Sequence, residues 1–465
     1  MKRFFLLLTV LCLLACVPTP ETEAVIVKTD SHKPQEAAQS LADSSDACRA
    51  TYDEGGVMVR FDAVPEIPKT EHIASYALHA AGFSDEQLAA FVRAFFGDGP
   101  VYEPGEPTKE EIYPELLAAL ELLEQVKANP GAYEAGADAY RADAEELQRA
   151  YNAAPEADEL IPKAVAFARN ENSGAFGCRG DGGRDAMATL TVFSEGKEDQ
   201  SLMRYRNPSR YVPESYAKSV SSGLTLNAQN VDQAEAIRIA SDLAKALCGD
   251  TLRYAGCERG ARVSDATGWY EQDPDETPLL VFFTRVVDGM QVGFSAQPSA
   301  SGTEDQNFAD ALRYERLIVG VDSRGVCFAE WQAPVTVGEP LCENCAILSA
   351  DAACERAASY LRFLYPASGA IDASNSEGQA ASLDALNRGS VRSSEIEITR
   401  IALGWMQVRT GANALESKLI PVWDFCGTVM RTYENGESVT TGGENVCLLT
   451  LDAETGARID RALGY

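Results

Sequence analysis

Twice in the second half of the chain, a run with helical apolar spacing is followed by runs with strand spacing and short turns. No other feature constrains the fold as much. Asp232-Gln233-Ala234-Glu235 resembles a capping box ahead of a helix with Ala236, Ile239, Ala240, Leu243 and Leu247 on one face. Leu279 to Val286 and Met290 to Ser295 then flank Asp288-Gly289, a hairpin turn pair, and Arg313 to Val321 and Val326 to Trp331 flank a turn ending in Gly325. The order recurs at Ser349, which opens a helix to Leu364 with Ala353, Ala357, Tyr360, Leu361 and Leu364 facing inward. Glu395 to Arg400, Ile401 to Val408, Leu419 to Val429 and Val446 to Asp452 follow as strands, with Asn435-Gly436 in the longest connection. A helix covering one face of an antiparallel sheet, twice over, predicts an α+β architecture.

The first half reads differently. Val57 to Val64 alternates with period two and stops at Pro65, a strand. Ser84-Asp85-Glu86-Gln87 is a capping box for a helix with Leu88, Phe91, Val92 and Phe95 on one face. Thr108 caps a helix bearing Ile112, Leu116, Leu120 and Leu123, which Asn129-Pro130-Gly131 ends. Tyr133, Ala137, Tyr140, Ala144, Leu147 and Tyr151 then recur at spacings of four and three, the stripe of a second helix packed antiparallel on the first. A short third helix, Pro155 to Arg169, a glycine-rich stretch and a strand, Ala186 to Phe193, complete this half. The expected organisation is an N-terminal α+β domain with a helical hairpin, 47–225, then two helix-plus-antiparallel-sheet units, 226–340 and 341–465.

The first 46 residues lie outside that plan. Lys2 and Arg3 precede an apolar run, Phe4 to Leu14, and Leu13-Leu14-Ala15-Cys16 is a small-residue cleavage site ending in cysteine. A spanning helix needs roughly 20 apolar residues, so the run reads as a signal peptide, 1–15, and Cys16 as the lipidated residue. Residues 16–46, rich in Pro, Glu, Ser, Thr and Ala, read as a flexible tether. The chain is therefore expected on the extracytoplasmic face of a cell membrane, held by lipid.

Forty basic against seventy acidic residues give a formal charge of -30. Such a surface repels phosphate backbones, which argues against nucleic acid as a partner. With Cys12 in the signal and Cys16 lipidated, Cys48, Cys178, Cys248, Cys257, Cys327, Cys342, Cys345, Cys354, Cys426 and Cys447 remain. An even number outside the cell is compatible with disulfides, whose connectivity spacing does not settle.

Residues with chemical potential are few. Only His32, His72 and His79 are present; the last two, seven apart, would share a face if helical, and His32 lies in the tether. Ser215 and Lys218 have the spacing of an acyl-enzyme pair but lack its companion motifs. Asp273, Asp275 and Glu276 surround Pro274 without the glycine and distal glutamate of a calcium loop. Arg179-Gly180-Asp181 is a tripeptide that chance supplies readily. Cys342-Glu343-Asn344-Cys345 has the spacing of a redox or half-zinc motif, but neither a βαβ context nor two further ligands at suitable spacing accompanies it, so a structural bridge or free thiols is expected. Apart from Cys16, no site residue, cofactor or metal is assigned.

The helix at Ala236 to Leu247 with its hairpin, and the ending Leu449-Thr450-Leu451-Asp452-Ala453-Glu454-Thr455-Gly456, resemble PepSY-type modules, whose last strand runs into an Asp-Ala-x-Thr-Gly turn. Leu419-Ile420-Pro421-Val422-Trp423-Asp424-Phe425 with that ending is similar to the C-terminal part of Yyc-type extracytoplasmic regulators of Gram-positive bacteria. From about residue 50 onward, including Phe282, Thr284-Arg285 and Asp288-Gly289, the chain resembles an uncharacterised family of clostridial lipoproteins. These motifs are structural: Asp452 to Gly456 is a turn, and Trp423 and Phe425 face a core. The resemblance implies a non-catalytic binding or regulatory module for an envelope protein or peptide. The rival class is an envelope hydrolase using a carboxylate pair in an interdomain cleft, for which the sequence offers no means of choosing the pair.

Overall fold

The computed structural model describes residues 48–70, 72–102, 108–128, 137–156, 176–181, 187–194, 201–207, 231–259, 262–265, 268–271, 278–295, 314–367, 389–410, 416–461 and 464. In chain order the elements are β1 (Cys48–Glu54), β2 (Val57–Ala63), β3 (Ser75–Ala80), α1 (Asp85–Phe96), β4 (Val101–Tyr102), α2 (Lys109–Ala128), α3 (Ala137–Ala153), β5 (Phe176–Asp181), β6 (Met187–Ser194) and β7 (Ser201–Arg206). They continue as α4 (Gln233–Cys248), β8 (Leu252–Arg259), β9 (Arg262–Asp265), β10 (Gly268–Glu271), β11 (Leu279–Val287), β12 (Met290–Gln291), β13 (Arg316–Asp322), β14 (Gly325–Gln332) and β15 (Val335–Cys342). Last come α5 (Ala350–Leu364), β16 (Val391–Arg409), β17 (Glu416–Tyr433), β18 (Ser438–Asp452) and β19 (Arg458–Ile459).

Side-chain caps start three of the five described helices where the pattern placed them. At α1, Ser84 Oγ accepts from the Gln87 amide at 3.2 Å while the Ser84 amide donates to Gln87 Oε1 at 2.8 Å, the full capping box. Asp232 Oδ1 accepts from the amides of Ala234 and Glu235 at 3.0 and 3.1 Å, starting α4, and Ser349 caps α5. α2 and α3 carry the hairpin pattern, with Ile112, Leu116, Leu123 and Val126 buried and the Tyr113 and Tyr151 rings 5.9 Å apart; Leu120 is exposed. Tyr133 and the expected third helix beyond residue 156 lie outside the described residues.

The expected α+β class of two self-contained helix-plus-sheet units does not hold: the fold is mostly β, built on two large sheets with five short helices among the described residues. The reason lies in who pairs with whom. An eight-stranded sheet runs β1-β2-β16-β17-β18-β19, with β3 also pairing β17 and β15. β2 lies parallel to β16, from Val57 opposite Ser394 to Phe61 opposite Ile398. A nine-stranded sheet runs β12-β11-β13-β14-β7-β6-β5-β4, with β8 also on β11. Each local hairpin leaves an unpaired edge of N–H and C=O groups, and strands from the first half of the chain satisfy both edges.

Among the described residues the two largest of four buried clusters lie beneath the helices. α5 lies on the first sheet, its Ala353, Ala357, Ala358 and Leu361 against Val59, Phe61, Ile396, Ile398, Phe425 and Leu451; alanines let the helix backbone approach the strands closely. α1 and α4 cover the second sheet, with Leu88, Phe91, Ala236, Ala240 and Leu243 against Leu190, Met203, Val281, Phe283, Leu317 and Trp331. The β11–β12 hairpin reaches across to β16. Asp288 and Gly289 both take positive φ, 50° and 80°, as the tight turn requires, and the Gly293 amide then donates to Trp405 O at 2.8 Å. A Cβ on Gly293 would collide with the Asp424 carboxylate, so only glycine permits that approach.

Candidate functional site

β15 follows the nine-stranded sheet in sequence but pairs with β3 of the other one. The ladder shifts register on either side of Pro340, which has no N–H to donate and stands opposite Tyr76, and it ends with Cys342 opposite Ser75. The loop after Cys342 folds back: the Cys345 amide donates to Ile73 O at 2.7 Å. At the far end of the chain, β18 runs into a turn in which Asp452 Oδ1 accepts from the amides of Glu454 (2.8 Å) and Thr455 (3.0 Å) and Gly456 takes φ 69°. The Leu348 amide donates to Ala453 O at 2.8 Å and Trp423 Nε1 to Leu348 O at 3.1 Å, fastening turn and loop together. One ligand-type atom each from Cys342, Cys345 and Glu454 then lie within 4.8 Å of one another.

The two cysteines are half-buried and Glu454 is exposed, so the cluster opens to solvent. Burial, then the hydrogen bond with Cys342 and the charge of Glu454, push the Cys345 thiol up to about 12, while a hydrogen bond from Ser75 acts the other way. Burial and then Asp452 raise Glu454. Two soft sulfurs and one hard oxygen can ligate a borderline-soft cation, and a Cys-x-x-Cys pair can also exchange two electrons as a dithiol. His72, in the segment leading into β3, meets this loop, its Nδ1 2.8 Å from Asn344 Oδ1. His79 lies on β3, so the two histidines share no helical face.

Buried acids elsewhere are held by arginines. Arg285 pairs with Glu315, Arg324 Nη2 reaches Asp322 Oδ2 at 2.9 Å, and Arg461 grips Asp424, the three acids being 4%, 0% and 3% exposed. These pairs bind strand to strand and turn to strand. A shallow depression of about 330 Å³ opens at the end of α5, walled by Val57, Pro366 and Ala367 and rimmed by Phe363 and the Arg362–Glu54 ion pair.

Cys342 and Cys345 are thus brought together, and Glu454 joins them. Sequence spacing missed Glu454 because it lies in the Asp-Ala-Glu-Thr-Gly turn after β18, far along the chain from the cysteines. Arg179 is buried on β5, away from the exposed turn an Arg-Gly-Asp ligand needs. Cys16, His32, Ser215, Lys218, Asp273, Asp275 and Glu276 fall outside the described residues. No family model and no curated protein matches the chain. Among solved structures, an uncharacterised protein from Eubacterium rectale is similar over 91% of this chain and 97% of its own, at 12% identity and a TM-score of 0.38. The Bacillus megaterium YpeB C-terminal domain aligns with 59% of this chain and 92% of its own, at 9% identity and a TM-score of 0.19. Similarity at these scores transfers no property to the chain.

Proposed function

We propose that the protein is an extracytoplasmic lipoprotein, anchored through Cys16, that binds an envelope protein or peptide without converting it. The supporting observation is Phe363, 79% exposed beside the apolar wall of the depression at the end of α5. An exposed aromatic ring at the edge of a depression of mixed polar and apolar lining, with an ion pair beside it, has the composition of an interface anchor. Among the described residues the buried acids Glu315, Asp322 and Asp424 are held in ion pairs with arginines, a structural use of carboxylates. Among the described residues no helix is long and apolar enough to cross a membrane, and in this reading lipid on Cys16 is the anchor.

Cross-linking in cells followed by capture on the anchored chain tests this. A partner retained by the wild type and lost with Phe363→Asp is the expected result. Recovery no better than from a tether-only control, residues 16–46, would remove the proposal, as would full recovery with Phe363→Asp.

A further inference from the structure

We propose that Cys342, Cys345 and Glu454 bind one zinc-type divalent cation. This goes beyond the partner-binding reading and stands on different residues. A tetrahedral zinc with Zn–S of about 2.3 Å places two sulfurs about 3.8 Å apart. Donor atoms already within 4.8 Å of one another need only a small side-chain rotation to close on such an ion. Their backbones are pinned independently of any ion: Cys342 by the β15–β3 ladder, Cys345 by Ile73, and Glu454 by the Asp452 turn that Leu348 ties to the cysteine loop. Two residues between the cysteines is the spacing that lets both thiolates face one metal, and the sulfur donors select against calcium and magnesium, which take oxygen. Three protein donors and an opening to solvent leave the fourth position to water or to an incoming donor.

The test uses the full mature chain extracted in detergent, reduced, stripped of metal and titrated with Co²⁺ and then Zn²⁺. One equivalent of Co²⁺ should develop thiolate-to-metal charge-transfer bands with tetrahedral visible bands, which one equivalent of Zn²⁺ bleaches. Cys342→Ser and Cys345→Ser should abolish the bands. Glu454→Gln, at an exposed turn position where folding is undisturbed, should weaken Zn²⁺ by about tenfold or more, the scale on which even outer-shell partners act. Cys257→Ser should change nothing. Bands that survive both cysteine variants, or Zn²⁺ affinity unaltered in Glu454→Gln, overturn the proposal. So does a Cys342–Cys345 disulfide mapped in protein isolated directly from zinc-replete cells. None of these readouts involves Phe363, so failure here and failure of partner capture are separable.

Discussion

Arg461 shows what one side chain near the end of the chain does to a core. Its Nε donates to Thr450 Oγ1 at 2.7 Å, its guanidinium grips both oxygens of Asp424, and Nη1 reaches Gly293 O at 3.4 Å. Alternation along β17 was legible in the sequence, and Trp423 and Phe425 do face a core. Legibility ended at the opposite face, where Val422 and Asp424 are buried as well, because a carboxylate can be buried only if a distant cation comes to meet it. Removing that cation leaves a buried charge unpaired. Arg461→Met is therefore expected to lower unfolding stability by about 3–5 kcal/mol, read as a fall in the urea midpoint. A loss below about 1 kcal/mol, the worth of an exposed pair, would show that the pair is solvated.

At the scale of elements, the caps and turns are the parts that local chemistry decides, and Ser84, Asp232, Ser349 and Asp288-Gly289 act where their sequence places them. Element length was less legible: Glu395 to Arg400 and Ile401 to Val408 read as two strands, yet form the single β16, whose register shift falls between Ile398 and Arg400, ahead of that division. The pairing of cysteines was not legible at all. Cys48 opens β1 and Cys354 lies on the inner face of α5, with their Sγ atoms 2.7 Å apart in the buried core. Cys426 and Cys447 sit opposite each other on β17 and β18. In the proposed extracytoplasmic setting, two-electron oxidation of Cys48 and Cys354 by a dithiol–disulfide exchange protein, which takes up the electrons and protons, is expected to bridge β1 to α5. Non-reducing peptide mapping should recover the pair. Reductant should then lower wild-type stability by about 2–5 kcal/mol more than it lowers that of the double variant Cys48→Ala, Cys354→Ala; equal sensitivity of the two would argue against the bridge.

At the scale of the whole molecule, β2 and β3 belong to a sheet whose other main strands lie beyond residue 390, and β5 to β7 to one completed beyond residue 278. Val59 and Phe61 supply part of the core under α5. The segment 341–465 on its own is accordingly expected to give no cooperative thermal transition, since β16 loses its parallel neighbour and α5 loses half its seat. A sharp melt of that segment in circular dichroism would contradict this. The sequence by itself determined the five described helices, the caps of three of them, the Asp288-Gly289 turn and the apolar alternation along the strands, because these depend on residues within one or two turns of each other. Only the tertiary structure decided the sheet partners, the arginines that meet buried acids and the meeting of Glu454 with Cys342 and Cys345. Strand edges carry the same backbone donors and acceptors whatever their side chains, so the choice of neighbour follows from the burial of the whole chain and leaves no local mark.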